Sequence, residues 1–375
     1  MVGVDVKNTT TGKFFSPEST TIGQPQFHKR RVWILGVLGV ELFFVLSGFL
    51  IGNILIKDFF KSKSFTLNNI KIFLVRRWFR TLPDYWFVLT MTILITMVFG
   101  GYNFSYKIIA FYFLMQNLFT HHPGFFTIAW SLAVEEWFYL TVPFVIFFAS
   151  KMFKKTEKKK LLFYTFLSYA AFFILLRCIN LFTHFGNLDI DDGVRKIVIF
   201  RLDAIMYGVI IALLMKSYDI ILKNKLLLLL ISILFTVVLL ALTLYFDVGY
   251  IHTNDAFYMR FHNFFDGVLL YTCLPIVLSL CLPFASTYIP KIEKTGYFQR
   301  FITHTSKISY SMYLIHLTVY IFLFDQIHPT SYISALMSGG AYFLCIYLIS
   351  SVLYKYIEQP FLRIRDKRYS HKTVI

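Results

Sequence analysis

Apolar runs of about 20 residues, the length of a membrane-spanning helix, recur along most of the chain. They lie near 33–56, 84–101, 125–149, 161–183, 197–215, 224–246, 263–285, 308–327 and 334–357, with a shorter run at 106–119. Lipid offers no partners to backbone N–H and C=O groups, so such runs must be helices. The pattern predicts an all-α, polytopic transmembrane helical bundle without a sizeable soluble appendage. Three regions follow: a polar N-terminal segment over 1–31, a membrane domain over 32–357, and a basic tail over 358–375.

The polar connections are unequal. Segments 57–83 and 150–160 hold seven and six Lys or Arg, and 216–225, 286–307 and the tail hold three, four and five. The connections 102–124, 182–196, 247–262 and 328–333 hold one, two, one and none, and Asp189, Asp191, Asp192, Asp247 and Asp255 lie among them. Basic loops face the cytoplasm, which places the rich set and the C-terminus inside. The run 106–119 decides the count. Were it to cross, the two most basic connections would fall on opposite sides, and at about 14 residues it is also short. Nine spans and one short re-entrant or interfacial helix result. That count leaves the N-terminus outside, where His28, Lys29, Arg30 and Arg31 abut the first span with the wrong charge. The parity therefore predicts one further helix upstream of the first span.

Composition narrows the class. With 57% hydrophobic and 15% charged residues, the chain excludes an ordinary soluble domain. The net charge of +17 flanks the apolar runs, so it reads as membrane topology, with lipids as the surroundings and no nucleic-acid partner. Cys178, Cys273, Cys281 and Cys345 fall in apolar segments without C-x-x-C spacing, so neither disulfides nor a metal site are expected. The first residues lack the basic start and apolar stretch of a signal peptide.

Six stretches, in order, carry a resemblance: "GVELFFVLSGFLIG" (39–52), "RRWFRTLP" (76–83), "WSLAVEEWFYLTVP" (130–143), "FRLDAIMYG" (200–208), "ISYSMYLIH" (308–316) and "YIEQPF" (356–361). Together they resemble the membrane-bound acyltransferase 3 family, whose members move acyl groups onto cell-surface carbohydrates and other acceptors. The resemblance implies a bundle of about ten helices, the first carrying an Arg and, some ten residues later, the family's essential His. No Arg-x10-His occurs in this sequence. The missing helix would precede "GVELFF", the same place the parity argument indicates.

The buried charges are the candidate chemistry. An acid at a helix centre costs roughly 2.5–3.5 kcal/mol on the insertion scale, so Glu135 and Glu136 must face protein or a wet cavity. They point about 100° apart on a helix, and only Glu135 shares the i, i+4, i+8 stripe of Ser131 and Tyr139. Glu135 is thus the stronger catalytic candidate, against a structural acid bonded to a neighbouring helix. The family's recurrent acid is the first of this motif, which agrees. Glu41 raises the same pair of readings in the first span, where Gly36, Gly39 and Gly48 allow close helix packing. Arg76, Arg77 and Arg80 gather guanidinium groups suited to phosphates, so they are candidates for holding an acyl-CoA donor, beside their plain topological reading.

Arg201 and Asp203, with Arg177 on the preceding helix, are candidates to pair with the buried acids. His316 is either a catalytic group or a hydrogen bond between helices. His121 and His122 could supply a base if the family's His is lacking, against a solvated loop pair. Glu358 ends the last helix and anchors to nearby arginines. The reading is a multi-pass O-acyltransferase, in the first place an O-acetyltransferase, of the bacterial inner membrane. Its co-substrate is acyl-CoA, it binds no cofactor, and its acceptor is a cell-envelope glycan or lipid-linked sugar. The rivals are a carrier or flippase, which would release no free coenzyme A, and a truncated, catalytically impaired acyltransferase.

Overall fold

The computed structural model describes residues 25–99, 106–184, 190–252, 256–288, 296–327 and 329–368. Among these the regular structure is entirely helical. Most of segment 1–31 and the calls on Asp189 and Asp255 lie outside the described residues. Helices α1 (Pro25–Lys61) and α2 (Leu67–Phe99) come first, followed by the single turn α3 (Ile109–Tyr112). Then come α4 (Ala129–Met152), α5 (Lys158–Thr183), α6 (Leu202–Ser217), the short α7 (Asp219–Lys223) and α8 (Lys225–His252). One further pass is broken into α9 (Ala256–Phe264), α10 (Tyr271–Ser279) and α11 (Leu282–Thr287), with a π-helical stretch at Phe265–Leu270. Helices α12 (Tyr297–Val319), α13 (Tyr332–Leu353) and α14 (Gln359–Arg368) complete the bundle.

Eight described helical stretches are long and apolar enough to cross a membrane. The expected span at 197–215 is represented by α6, whose 16 residues extend only about 24 Å against a hydrocarbon core of about 30 Å. Its interior position accounts for that, because its neighbours rather than lipid surround most of it. Closest of those neighbours is α1. A Cβ on Gly48 would lie 1.9 Å from the Ile205 carbonyl oxygen, and one on Gly208 would lie 2.0 Å from that of Val45. One turn beyond Gly48, a Cβ on Gly52 would meet the Val209 Cα at 2.9 Å. The two backbones approach so closely that only hydrogen fits, the small-residue packing that holds helices together in lipid. Gly36 and Gly39, expected to share this role, face open space instead.

Lysines gather the basic connections at one end of the bundle. Lys158 Nζ donates to the carbonyls of Phe59 (3.4 Å) and Ser62 (2.7 Å), Lys159 to Ser217 (2.9 Å), and Lys216 to Asn53 (2.9 Å). Lys225 Nζ reaches the Thr287 hydroxyl at 3.0 Å. Because the turn after α1 and the turn before α5 touch, the chain between α2 and α4 returns without crossing. The run 106–119 accordingly forms only a 3-10 turn and α3, tied down at the opposite end. There the Asn117 amide donates to the carbonyls of Lys196 (2.6 Å) and Trp130 (3.3 Å), and Val198 N–H donates to the Asn117 carbonyl at 3.0 Å. Burial penalises the Asp191 carboxylate at this end, but Arg195 and Lys196 outweigh it and hold the group below its usual range.

Candidate active site

Helices α1, α2 and α4 bring the site together. On α4, Glu135 and Tyr139 are one turn apart, and the tyrosine hydroxyl donates to Glu135 Oε1. Ser47 of α1, 88 residues away in sequence, donates its hydroxyl to the same oxygen and also lies in hydrogen-bond contact with the Tyr139 hydroxyl. The carboxylate is therefore held between two hydroxyls, with all three side chains buried. Arg77 of α2 closes one side, its guanidinium carbon 5.8 Å from the centre of the Tyr139 ring and 5.9 Å from that of Phe73. Stacking over aromatic faces suits a guanidinium that must leave water. Arg77 is half-buried and Arg80 exposed, so the arginine face of α2 runs from the trio to the surface.

Glu136 turns to a different neighbour, as the helical rotation requires. Its Oε1 accepts from the Thr81 hydroxyl at 2.6 Å, while Oε2 is buried without a partner. The expected stripe of Ser131, Glu135 and Tyr139 splits. Ser131 bonds the Tyr313 hydroxyl of α12 and the Ile128 carbonyl, so it does not join the carboxylate network. His316 lies one turn beyond Tyr313, its Nδ1 2.6 Å from the Tyr313 carbonyl oxygen and its ring 5.5 Å from the Tyr313 ring. Neither residue is joined by a described hydrogen bond to Glu135. Tyr313 ties α12 to α4 through Ser131, while the His316 ring stays within α12 and only its backbone carbonyl accepts from another helix, from the Tyr342 hydroxyl of α13 at 3.1 Å.

Glu41 belongs to a separate set of charges. It pairs with Arg201, whose Nη1 also donates to the Tyr271 carbonyl at 3.0 Å and whose guanidinium lies 4.5 Å from the Tyr271 ring centre. Asp203 takes a two-pronged bond from Arg177 at 2.8 and 3.2 Å, and Arg177 also reaches the Phe200 carbonyl (2.7 Å) and the Thr272 hydroxyl (2.5 Å). Arg177, Arg201 and Asp203 are fully buried and Glu41 nearly so. Glu41 thus joins α1 to Arg201 at the start of α6, whereas Arg177 meets Asp203 rather than Glu135 or Glu136. Inside a membrane the cost of an unpaired charge explains why the four occur as two pairs.

Glu358 does not end the last helix. The chain continues from α13 through a π-helical turn at Tyr354–Glu358 into α14, and Glu358 is buried where the charges of Asp84, Arg80 and Arg365 all act on it. Asp84 accepts from the Ser311 hydroxyl at 2.7 Å. His122, in the connection before α4, sets its ring edge-on against Phe111, 5.6 Å between centres. Burial pushes it down to about 4, so it is a weak base at neutral pH. Ser47, Thr81, Asp84 and Tyr313 were not singled out from the sequence. Ser47 lies within the "LSGF" of a quoted motif, but only the packing of α1 against α4 reveals its partners. Among the described residues no group of three or more His, Cys, Asp or Glu is placed to hold a metal ion.

The sequence profile of the acyltransferase 3 family, described as an acyltransferase domain, matches residues 7–362. O-acetyltransferase OatA of Staphylococcus aureus (strain NCTC 8325 / PS 47) is 26% identical over 376 residues, which cover 90% of this chain and 55% of OatA. A second S. aureus protein (strain COL), which carries a provisional O-acetyltransferase name, is 26% identical over 355 residues, covering 89% of this chain and 54% of its own. The chain thus spans about half the length of the curated relatives it matches. No solved structure matches. The profile runs through all six sequence stretches and the helices that build the Glu135 cluster, and the chain belongs to the acyltransferase 3 family of membrane acyltransferases.

Proposed function

We propose that this chain transfers an acyl group, in the first place acetyl, from acyl-CoA to a hydroxyl of a cell-envelope carbohydrate or lipid-linked glycan. The observation that carries the reading is Glu135, a carboxylate at membrane depth that accepts from two hydroxyls and has Arg77 beside it. Acyl transfer from a thioester to an alcohol needs a base to take the alcohol's proton and a cation for the developing charge. Glu135 supplies the first and Arg77 the second. The names of the S. aureus relatives favour acetyl and oxygen as the groups joined.

Arg76, Arg77 and Arg80 hold the donor's phosphates in this reading. Alanine at Arg77 or Arg80 is expected to raise the KM for acyl-CoA several-fold with little change in that for the acceptor, and at Arg77 kcat should fall as well, because that cation also meets the developing charge. Lysine should restore only part, because it lacks the two-pronged fork. The measurement is release of coenzyme A thiol by protein in membranes. An unchanged donor KM and an unchanged kcat at normal membrane yield would reduce the arginines to a topological signal.

The basic end of the bundle faces the cytoplasm in this reading, with the C-terminus inside and the inner membrane as location. Single cysteines at positions 64 and 155 are expected to react with impermeant label only from the cytoplasmic side, and one at 192 only from outside. Opposite sidedness for 64 and 155 would contradict both the touching turns and the proposed orientation.

A further inference from the structure

Ser47 has the environment of a nucleophile, and nothing in the reading above uses it as one. Its hydroxyl donates to Glu135 Oε1, and the same oxygen is oriented by a third group, the Tyr139 hydroxyl. A hydroxyl hydrogen-bonded to a base that is itself oriented by another donor is the signature of an activated nucleophile. The backbone beneath it is rigid. Gly48, the next residue, lies where the Ile205 carbonyl of α6 leaves no room for a side chain, so α1 cannot shift without breaking its close contact with α6. Phe44, at i−3 from Ser47, packs edge-on against Trp130 at 6.0 Å and so clamps α1 to α4 as well. Arg77 provides positive charge at the Tyr139 side of the trio.

We infer that Ser47 accepts the acyl group covalently and passes it to the acceptor, so that transfer proceeds through an ester on Ser47 Oγ. This rests on the acyl-transfer reading and adds the intermediate. In the first half, Ser47 Oγ bonds to the thioester carbonyl carbon and the carbon–sulfur bond breaks. The serine proton passes to Glu135 and from there to the leaving sulfur, releasing coenzyme A as thiol. In the second half, the acceptor oxygen bonds to the ester carbon and the carbon–Oγ bond breaks. The acceptor's proton passes through Glu135 back to Ser47 Oγ, and the enzyme is restored. No oxidant or metal enters the balance. The two-step path also suits the geometry of a membrane site, because donor and acceptor need not meet at one time.

The test uses the full chain in membranes with radiolabelled acetyl-CoA, quenched rapidly in acid, first without and then with acceptor. One acetyl group per chain is expected on the peptide containing Ser47, matched by one equivalent of coenzyme A thiol and discharged on addition of acceptor. Ser47→Ala should lose both label and transfer. Ser47→Cys, which keeps the packing closely, should carry the acetyl as a thioester cleaved by neutral hydroxylamine, whereas the wild-type ester resists it. Transfer by the wild type without a trapped ester, label on another residue, or transfer retained by Ser47→Ala would each overturn the inference while leaving acyl transfer intact. Absence of any coenzyme A release by the wild type, with acceptor present, would instead overturn the acyl-transfer reading itself.

Discussion

Replacement of Glu135 by Gln is expected to abolish acyl transfer while the protein still inserts and folds. The amide preserves the shape of the carboxylate and leaves one oxygen to accept a hydrogen bond, but it cannot take a proton. General-base catalysis contributes about 10²–10⁴-fold, and a loss of that order is expected. Glu136→Gln should keep most activity. Its one hydrogen bond, from Thr81 at 2.6 Å, can be received by an amide oxygen equally well, and its second oxygen has no partner to lose. The comparison needs two readings on each variant: membrane yield with thermal stability, and coenzyme A thiol release with acceptor present. Equal effects of the two substitutions would assign both acids to the scaffold and remove Glu135 from the chemistry.

The second large effect concerns stability. Arg177→Met leaves Asp203 buried without its two-pronged partner, and removing one member of a buried pair costs about 3–5 kcal/mol. The Phe200 carbonyl and the Thr272 hydroxyl lose a donor as well. A sharp fall in melting temperature in detergent and in membrane yield is expected. Arg177→Met combined with Asp203→Leu should recover much of that loss, since an apolar pair of similar bulk removes the orphaned charge. A single Arg177→Met variant as stable as the wild type would show that the pair does not hold α5 to α6.

Much of this molecule is written in its one-dimensional pattern. Apolar runs of spanning length determine helices, because lipid leaves the backbone no other way to satisfy its hydrogen bonds. The uneven placement of lysine and arginine determined that 106–119 does not cross, and the Lys158 bonds to the turn after α1 show the same arrangement in space. Helical spacing alone separated Glu135 from Glu136 and joined Glu135 to Tyr139, since residues one turn apart are neighbours whatever the tertiary fold. The rule that intramembrane charges seek partners made Arg177, Arg201 and Asp203 candidates for pairing, without saying with which acid.

Which charge meets which was decided only in three dimensions. Arg201 and Asp203 are two residues apart and lie on different faces of the chain, so they reach different helices: Arg201 to Glu41 on α1, and Asp203 to Arg177 on α5. Ser131 satisfied the periodicity yet bonds Tyr313, because the relative height of α4 and α12 sets its partner and no spacing encodes that height. The same holds for the glycines. Gly36, Gly39 and Gly48 look alike in sequence, but only Gly48 falls where α6 crosses α1, with Gly52 and Gly208 completing the contact. That crossing also positions Ser47 against Glu135. A hydroxyl 88 residues from its carboxylate becomes its neighbour through helix packing, and packing is a property of surfaces in contact that the order of residues along one chain does not display.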